Sequence, residues 1–283
     1  MQIVKTIQEL RPIIQGWRKE GLSVGLVPTM GYLHDGHKSL IVKAVGENDR
    51  VVVSDFVNPT QFGVNEDLST YPRDLERDAA VCKEAGAALV FHPEPEEMYF
   101  PDSCTFVDMD SLTKGLCGKA RPTHFRGVCT IVSKLFHIVA PDRAYFGQKD
   151  AQQLAVIRRM VRDLDFGITI VGCPIVREAD GLSMSSRNAY LNEEERKAAI
   201  ILHESLALGE KMLEDGERDG AKIREAILGS LDREPLAKVD YVEVVDAETL
   251  EPVEDIHRPI LAALAVYIGK TRLIDNFTFD AFK

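Results

Sequence analysis

The sequence predicts an α/β protein with a Rossmann-like parallel sheet, helices on both faces of that sheet, and a smaller C-terminal α+β domain. Short β-branched segments alternate with helical segments up to about residue 175, and Gly, Pro or Asn residues bound the strand segments. After residue 180 this alternation gives way to charged amphipathic helices followed by strands. We therefore expect two domains, one over residues 1–178 and one over residues 179–283.

The elements of the first domain follow from its hydrophobic patterns. Short apolar runs predict strands at 22–27, 50–57, 87–91, 142–146 and 168–171. Apolar residues at helical spacing predict helices at 37–46, 72–85, 124–139 and 150–164. The proline-rich, acidic segment 93–103 is predicted to be a surface loop. Because strands alternate with helices, the sheet should be parallel and bind its ligand at the carboxyl ends of the strands.

The elements of the second domain are fewer. Charged amphipathic patterns predict helices at 193–214 and 219–231, and apolar runs predict strands at 239–245 and 260–268. Strands that follow helices, instead of alternating with them, indicate an α+β arrangement.

Composition excludes several classes of protein. The chain has 283 residues, 45% of them hydrophobic, and a formal net charge of −11, so it can bury a large core and is a poor candidate for wrapping nucleic acid. Its five cysteines include no Cys-x-x-Cys pair, which argues against a disulfide framework and a structural zinc site. No apolar run is long enough for a signal peptide or a membrane span. We expect a soluble, cytoplasmic protein without a membrane or nucleic-acid partner.

Two histidines follow the first strong strand, within the sequence VPTMGYLHDGH at 27–37. A helix beginning near Gly36 would direct free backbone N–H groups and a positive dipole end at an anion, and His34 and His37 would add two donors. His-x-Gly-His at the amino end of a helix is typical of a nucleotidyl-transfer superfamily that binds ATP phosphates. Two alternatives stay open, ordinary loop histidines or a metal pair, although the metal pair lacks a recognisable third ligand cluster.

A serine-rich segment, GLSMSSRN at 181–188, offers hydroxyl and guanidinium donors suited to a triphosphate. On its own the segment is more typical of a polar surface loop, and its pairing with the His-x-Gly-His sequence is what favours phosphate binding. Because it has few long apolar side chains, we expect little packing in the absence of nucleotide and an ordered conformation with it.

Polar residues also follow other strands. Lys149 would supply a positive charge to phosphate, and Asp150 would either cap the next helix or hold Mg²⁺ through water. Asn58, Gln61 and Gln153 are neutral amides that could orient a small hydroxylated acid.

Taken together, these segments resemble the pantoate–β-alanine ligase family of the HIGH-type nucleotidylyltransferase superfamily. The resemblance covers the whole chain in six ordered blocks: 27–37, 56–62, the stretch from Glu66, the stretch from Arg121, 146–153 and 181–191. It implies a nucleotide- and pantoate-binding domain over 1–178, a lid domain over 179–283, ATP as co-substrate, Mg²⁺, and a cytoplasmic homodimer.

The resemblance also implies site residues. Its catalytic positions fall on His37 as general acid/base and on His34, Lys149 and Arg187. Its nucleotide contacts fall on Met30, Gly31, Tyr32, Leu33, His34, Asp35, Gly36, His37, Gly147, Gln148, Lys149, Asp150, Val176, Met184, Ser185, Ser186 and Arg187. Its pantoate-binding amides fall on Gln61 and Gln153, Gln61 also lies at the β-alanine position, and Asn58 is a further substrate-binding candidate. Tyr32 occupies a variable position, and Thr60 stands where a bulkier apolar residue is common.

The implied reaction has two steps. The carboxylate of pantoate attacks the α-phosphorus of ATP, and the amine of β-alanine then attacks the acyl adenylate and displaces AMP. The alternatives are a cofactor nucleotidyltransferase and a nucleotide-sensing module without catalysis. An aminoacyl-tRNA synthetase would need a basic surface for tRNA, and this acidic chain has no basic tract for one.

Overall fold

The computed structural model describes residues 1–64 and 66–280, and the chain divides into two compact units. The first unit comprises Met1–Asp110, Arg121–Gln148 and Val156–Pro174. The second unit comprises Ser111–Ala120, Lys149–Ala155 and Ile175–Lys283. Two short internal segments thus join the long C-terminal segment to form the second unit.

A six-stranded parallel sheet forms the centre of the first unit. Its strands are β1 (Gln2–Val4), β2 (Val24–Thr29), β3 (Arg50–Asp55), β4 (Leu89–Phe91), β5 (Arg143–Gly147) and β6 (Thr169–Cys173). Their order in the sheet is β1-β4-β3-β2-β5-β6. The predicted parallel sheet is confirmed. Strand β1, in which only Val4 is buried, was not predicted, whereas the equally short but fully buried β4 was.

The order of the strands defines where the sheet changes direction. After β2 the chain adds β3 and β4 on one side, and it then returns to add β5 and β6 on the other side. The neighbours β2 and β5 therefore flank the topological switch point, and open α/β sheets bind ligands outside the carboxyl ends of such strands.

The helices are α1 (Ile7–Lys19), α2 (Asp35–Glu47), α3 (Leu75–Glu84), α4 (Pro95–Met98), α5 (Leu116–Ala120), α6 (His124–Val139), α7 (Ala151–Asp163), α8 (Glu193–Ala198), α9 (Ile201–Glu214) and α10 (Gly220–Leu231). The prediction lacks α1, whose interior Pro12 is unfavourable for a helix. The loop expected at 93–103 contains the turn α4, and Met98 in that turn is fully buried. In the described residues, no helix has both the length and the apolar character that crossing a membrane requires.

The first unit has a core between the sheet and helices α2 and α3. Val27, Val53 and Val90 from three adjacent strands pack there with Ile41 of α2 and Cys82 of α3. Because both faces of a parallel sheet are covered by helices, its central strands are apolar throughout.

The second unit contains a three-stranded antiparallel sheet of β7 (Ala237–Asp246), β8 (Ile260–Ile268) and β9 (Thr271–Phe279), in that order. Apolar residues of α9 and α10 pack with this sheet in a separate core. The single helix expected at 193–214 is two helices, α8 and α9, and the prediction lacks β9. The smaller α+β part of the fold prediction is confirmed.

Candidate functional site

The loop after β2 contains two consecutive residues with positive φ angles, Gly31 and Tyr32. Gly31 has φ of +79°, and a Cβ atom there would lie 2.4 Å from Oδ1 of Asp55 at the end of β3. Only glycine fits this position without displacing that carboxylate. The next residue, Tyr32, also has a left-handed backbone with φ of 50°, which is uncommon for a residue with a side chain.

A buried carboxylate holds this loop in place. Asp78 of α3 is 1% exposed, and its two oxygens accept the backbone N–H groups of Tyr32 and Leu33, each at 2.6 Å. Burial raises the pKa of Asp78 and the charge of Asp55 raises it further, whereas the two backbone donors oppose the shift. Two features therefore hold the loop, the fully buried side chain of its own Leu33 and the carboxylate of Asp78. Sequence reasoning missed Asp78, because it lies among the charged residues of an amphipathic helix.

The two histidines lie at the amino end of α2. Nδ1 of His34 accepts the backbone N–H of Gly36 at 3.1 Å, and Nδ1 of His37 accepts the backbone N–H of His34 at 3.4 Å. The ring centroids are 4.0 Å apart. Because each Nδ1 faces a backbone donor, each neutral ring carries its proton on Nε2. Two Nε2–H donors beside the N–H groups of a first helical turn suit an anion.

The positions of the two rings can be compared with the other two interpretations of His34 and His37, ordinary loop residues or a metal-binding pair. An ordinary loop would not require both rings to bond the first turn of a helix. For a metal pair, Nδ1 of each ring is already engaged by a backbone N–H, and the described residues contain no group of three or more His, Cys, Asp or Glu placed to hold a metal. The geometry favours anion binding.

The switch point brings further predicted residues together. The loop over residues 30–34, called the histidine loop below, leaves the carboxyl end of β2, and Gly147 ends the neighbouring strand β5 and is followed by Gln148. Asp35 and Gly36 form the first residues of α2. The predicted nucleotide contacts from Met30 to His37 and from Gly147 to Gln148 thus share one edge of the sheet.

The amides after β3 lie beside the same loop. Asn58 and Gln61 are 1% and 7% exposed, and Nδ2 of Asn58 donates to Oε1 of Gln61 at 3.1 Å. Nε2 of Gln61 lies 2.9 Å from the sulfur of Met30, within the loop after β2. Gln61 and the histidine loop are therefore neighbours in the first unit.

The other predicted residues belong to the second unit. Lys149 and Asp150 end a short 3₁₀ turn before α7, and Gln153 lies in the first turn of that helix. Nδ2 of Asn276, on β9, donates to the carbonyl of Lys149 at 2.7 Å. Asp150 is exposed, whereas Lys149 and Gln153 are partly buried.

The serine-rich segment is better packed than its composition suggests. Leu182 is 1% exposed and belongs to the core of the second unit, so the expectation of few apolar contacts is wrong at this residue. The backbone N–H of Met184 donates to the carbonyl of Val176 at 3.0 Å, which places these two predicted residues side by side. Ser185 caps a 3₁₀ helix over Ser186–Tyr190 by accepting the backbone N–H of Arg187 at 3.2 Å.

An ion pair between the partly buried Arg177 and the buried Asp275 of β9 supports this segment. Arg177 donates to Asp275 at 2.6 and 3.2 Å and to the carbonyl of Gly181 at 3.1 Å. Asp275 is followed by Asn276, which bonds Lys149. Two adjacent residues of β9 therefore hold two of the predicted phosphate-binding segments. Sequence reasoning missed both residues because it missed the strand.

Comparisons with known proteins agree with these features. Residues 2–278 match the family model described as pantoate-beta-alanine ligase. A pantothenate synthetase of Clostridium acetobutylicum is 62% identical over 280 residues, which are 99% of this chain and 100% of that protein.

Solved structures give the same result. The crystal structure of pantothenate synthetase from Thermus thermophilus has a TM-score of 0.92 and 46% identity, covering 98% of this chain and 99% of that one. A pantoate-beta-alanine ligase from Francisella tularensis, complexed with beta-gamma ATP and beta-alanine, has a TM-score of 0.80 and 34% identity, covering 98% of this chain and 97% of that one.

Proposed function

Since this chain belongs to the pantoate–β-alanine ligase family, we propose that it joins pantoate to β-alanine and converts ATP to AMP and pyrophosphate. Within the structure, the observation that carries the proposal is the pair of histidines that cap the amino end of α2, on the same loop as Met30, which contacts the buried amide of Gln61. The histidine donors suit phosphate and the neutral amide suits a hydroxylated acid. Both kinds of group are needed where an acid is adenylated.

The first step is adenylation. A carboxylate oxygen of pantoate attacks the α-phosphorus of ATP, and the bond from that phosphorus to the pyrophosphate oxygen breaks. Negative charge builds on the phosphate oxygens, and hydrogen-bond donors fixed in advance lower the free energy of that charge distribution. His34 and His37 supply such donors in the first unit, and Lys149, Ser185, Ser186 and Arg187 supply them in the second unit.

The second step forms the amide. The neutral amine of β-alanine attacks the acyl carbon of pantoyl adenylate, the bond from that carbon to the phosphate oxygen breaks, and AMP leaves. His37 is proposed as the general acid/base that takes up the proton the amine loses as the amide forms, and for this Nδ1 would exchange its long 3.4 Å bond from the backbone N–H of His34 for that proton. Its capped first-turn position fixes the ring, and a fixed ring suits a proton-transfer group.

The remaining predicted residues divide between the ligands. The nucleotide contacts proposed in the first unit run from Met30 to His37 and include Gly147 and Gln148, and those in the second unit add Asp150, Val176 and Met184. Gln61, Gln153 and Asn58 serve pantoate, and Gln61 also serves β-alanine. Residues 1–178 would then bind the substrates, and residues 179–283 would act as a lid that keeps water from the acyl adenylate.

Mg²⁺, a homodimer and a cytoplasmic location complete the proposal, and the resemblance of the sequence to the family supports them. With Mg²⁺ bound, triphosphate oxygens would supply ligands of the ion, and Asp150 would hold it through water. The roles proposed for the other side chains do not depend on it.

An omission assay tests the proposed function. AMP and pyrophosphate are measured with ATP and Mg²⁺, and pantoate and β-alanine are left out in turn. We expect pyrophosphate release to require pantoate and AMP release to require both acids. A cofactor nucleotidyltransferase would not form an amide with β-alanine, and a nucleotide-sensing module would release no pyrophosphate.

The same assay tests His37 and Lys149. We expect His37→Ala and Lys149→Ala each to lower the adenylation rate about 100-fold or more, which is the usual effect of losing one transition-state donor. His257→Ala and Lys222→Ala, at exposed positions, are matched controls that should keep the wild-type rate. A folded His37 or Lys149 variant with a normal rate would contradict the role of that residue.

A further inference from the structure

The side chain of Gln61 ends a hydrogen-bonded chain of groups, all within the first unit. Oη of Tyr99 donates to Oδ1 of Asn58 at 2.8 Å, and Oγ1 of Thr60 donates to the same oxygen at 3.0 Å. Nδ2 of Asn58 in turn donates to Oε1 of Gln61. Asn58 is 1% exposed, so water does not replace these partners.

The groups around Asn58 fix the direction of every bond in this chain. The backbone N–H of Thr60, 3.4 Å from Oδ1, can only donate, and the carbonyl of Gly127, 3.2 Å from Nδ2, can only accept. Nδ2 of Asn58 therefore faces Gln61, and the atom of Gln61 that faces it must be the acceptor Oε1. As a consequence, Gln61 presents its Nε2–H donors on its other side, toward Met30.

The orientation of this amide matters for a hydroxylated acid. A carboxylate or hydroxyl oxygen of the substrate can accept from Nε2–H, whereas a flipped amide would present Oε1 and repel it. The two hydroxyls of Tyr99 and Thr60 make the shorter bonds to Oδ1 of Asn58, and the bond from the backbone N–H is longer. The backbone groups thus select the orientation of Asn58, and these hydroxyls add the shorter bonds that hold Asn58, and through it Gln61, in that orientation.

We propose that Tyr99 and Thr60 are positioning residues that fix the Gln61 amide with its N–H groups toward pantoate, an inference that rests on the proposed function. The hydroxyls of Thr60 and Tyr99 donate to the same acceptor, Oδ1 of Asn58, and lie 3.2 Å apart, so each can substitute for the other.

The structure also shows that the two hydroxyls can be removed separately. The ring of Tyr99 lies under Nζ of Lys134, 5.1 Å from its centroid, and this contact does not involve the hydroxyl. Burial raises the pKa of the Tyr99 phenol, so the proton needed for donation is present at neutral pH. Tyr99→Phe and Thr60→Val therefore delete one donor each and keep the shape of the side chain.

A double-mutant cycle tests the proposal, with KM for pantoate and KM for ATP measured for every variant. Because each donor can replace the other, we expect each single variant to raise KM for pantoate only about two- to threefold, and the double variant to raise it about 20-fold or more. KM for ATP should stay within about twofold of wild type. Thr60→Ser keeps the hydroxyl, so Thr60→Ser combined with Tyr99→Phe should match Tyr99→Phe alone.

Two control variants and the wild-type protein distinguish failure of the positioning role from failure of the proposed function. Tyr267→Phe and Thr278→Val remove hydroxyls in the second unit and should leave both KM values unchanged. A double variant with wild-type KM for pantoate, equal increases for pantoate and ATP, or no rescue by serine would overturn the positioning role while leaving the proposed function in place. A wild-type protein without pantoate-dependent pyrophosphate release would overturn the proposed function, and this inference with it.

Discussion

At the scale of single residues, the loop after β2 depends on two buried carboxylates that lie close to Gly31. A Cβ atom on Gly31 would be 2.4 Å from Asp55 and 3.1 Å from Asp78. Two buried negative charges so near each other are costly unless donors or cations face them. Asp78 receives two backbone donors, and Asp55 lies 3.2 Å from Nδ1 of His92. His92 therefore supports the loop indirectly, through Asp55.

The stability of the fold should depend on pH through His92. The hydrogen bond to Asp55 raises the pKa of His92, with smaller support from the charge of Glu94, although burial opposes the shift. A raised pKa means that protonated His92 stabilises the fold fully below its unfolded pKa of about 6.5, and that this contribution fades as pH rises through the folded pKa. In urea unfolding, the difference between wild type and His92→Gln should shrink as pH rises. His257→Gln is the matched control, and parallel curves for wild type and His92→Gln would contradict the role of His92.

At the scale of elements, β9 is the strand that orders the proposed phosphate-binding segments of the second unit. Asp275 holds Arg177 and, through it, the carbonyl of Gly181, whereas Asn276 holds the carbonyl of Lys149. Both side chains are buried, at 1% and 4% exposure. A rigid strand gives these segments a more accurate position than the loops themselves could provide.

Substituting Asn276 tests this role of β9. Asn276→Ala removes the donor to Lys149 and should raise KM for ATP about three- to tenfold while changing KM for pantoate less, because Lys149 is proposed to bind phosphate. Thr278→Ala, an exposed substitution on the same strand, should leave both values unchanged. Equal increases in the two KM values would show that the strand supports the fold in general and not the phosphate-binding segment.

At the scale of the whole molecule, the local patterns of the sequence predicted most of the fold and the loops at the strand ends, but they missed β1, α1 and β9. The alternation of strands and helices predicted the parallel sheet, and the position of His34 and His37 after a strand predicted an anion site. The supporting residues could not be predicted in this way, because their partners are distant in sequence. Asp78 bonds Tyr32 from 46 residues away, Tyr99 bonds Asn58 from 41 and Asn276 bonds Lys149 from 127.

Hydrogen exchange over the whole chain can separate ordering of the serine-rich segment from general stabilisation by ligand. A nucleotide at 100 times its Kd stabilises the native state by about 2.7 kcal/mol. Amides that exchange only through global unfolding, such as those in the buried helix α6, therefore all show an increase of this size in their free energy of exchange. Leu182 is already packed in the core, so we expect residues 181–183 to be protected without nucleotide.

Residues 184–187 should behave differently, because phosphate oxygens would give Ser185, Ser186 and Arg187 charge-assisted hydrogen bonds that offset the cost of ordering them. With a non-hydrolysable ATP analogue, we expect these amides to gain protection at short exchange times, when amides in α6 have not yet exchanged in either state.

The Arg187→Ala variant tests the role of the guanidinium, at an analogue concentration that gives the same saturation as in wild type. The protection that the analogue adds to α6 at long exchange times should remain, whereas the protection that it adds to residues 184–187 should shrink. The same variant should release more acyl adenylate to water, since a lid that closes poorly protects the anhydride poorly. Equal protection of 184–187 with and without the analogue would mean that this segment is ordered before nucleotide binds and does not close over it.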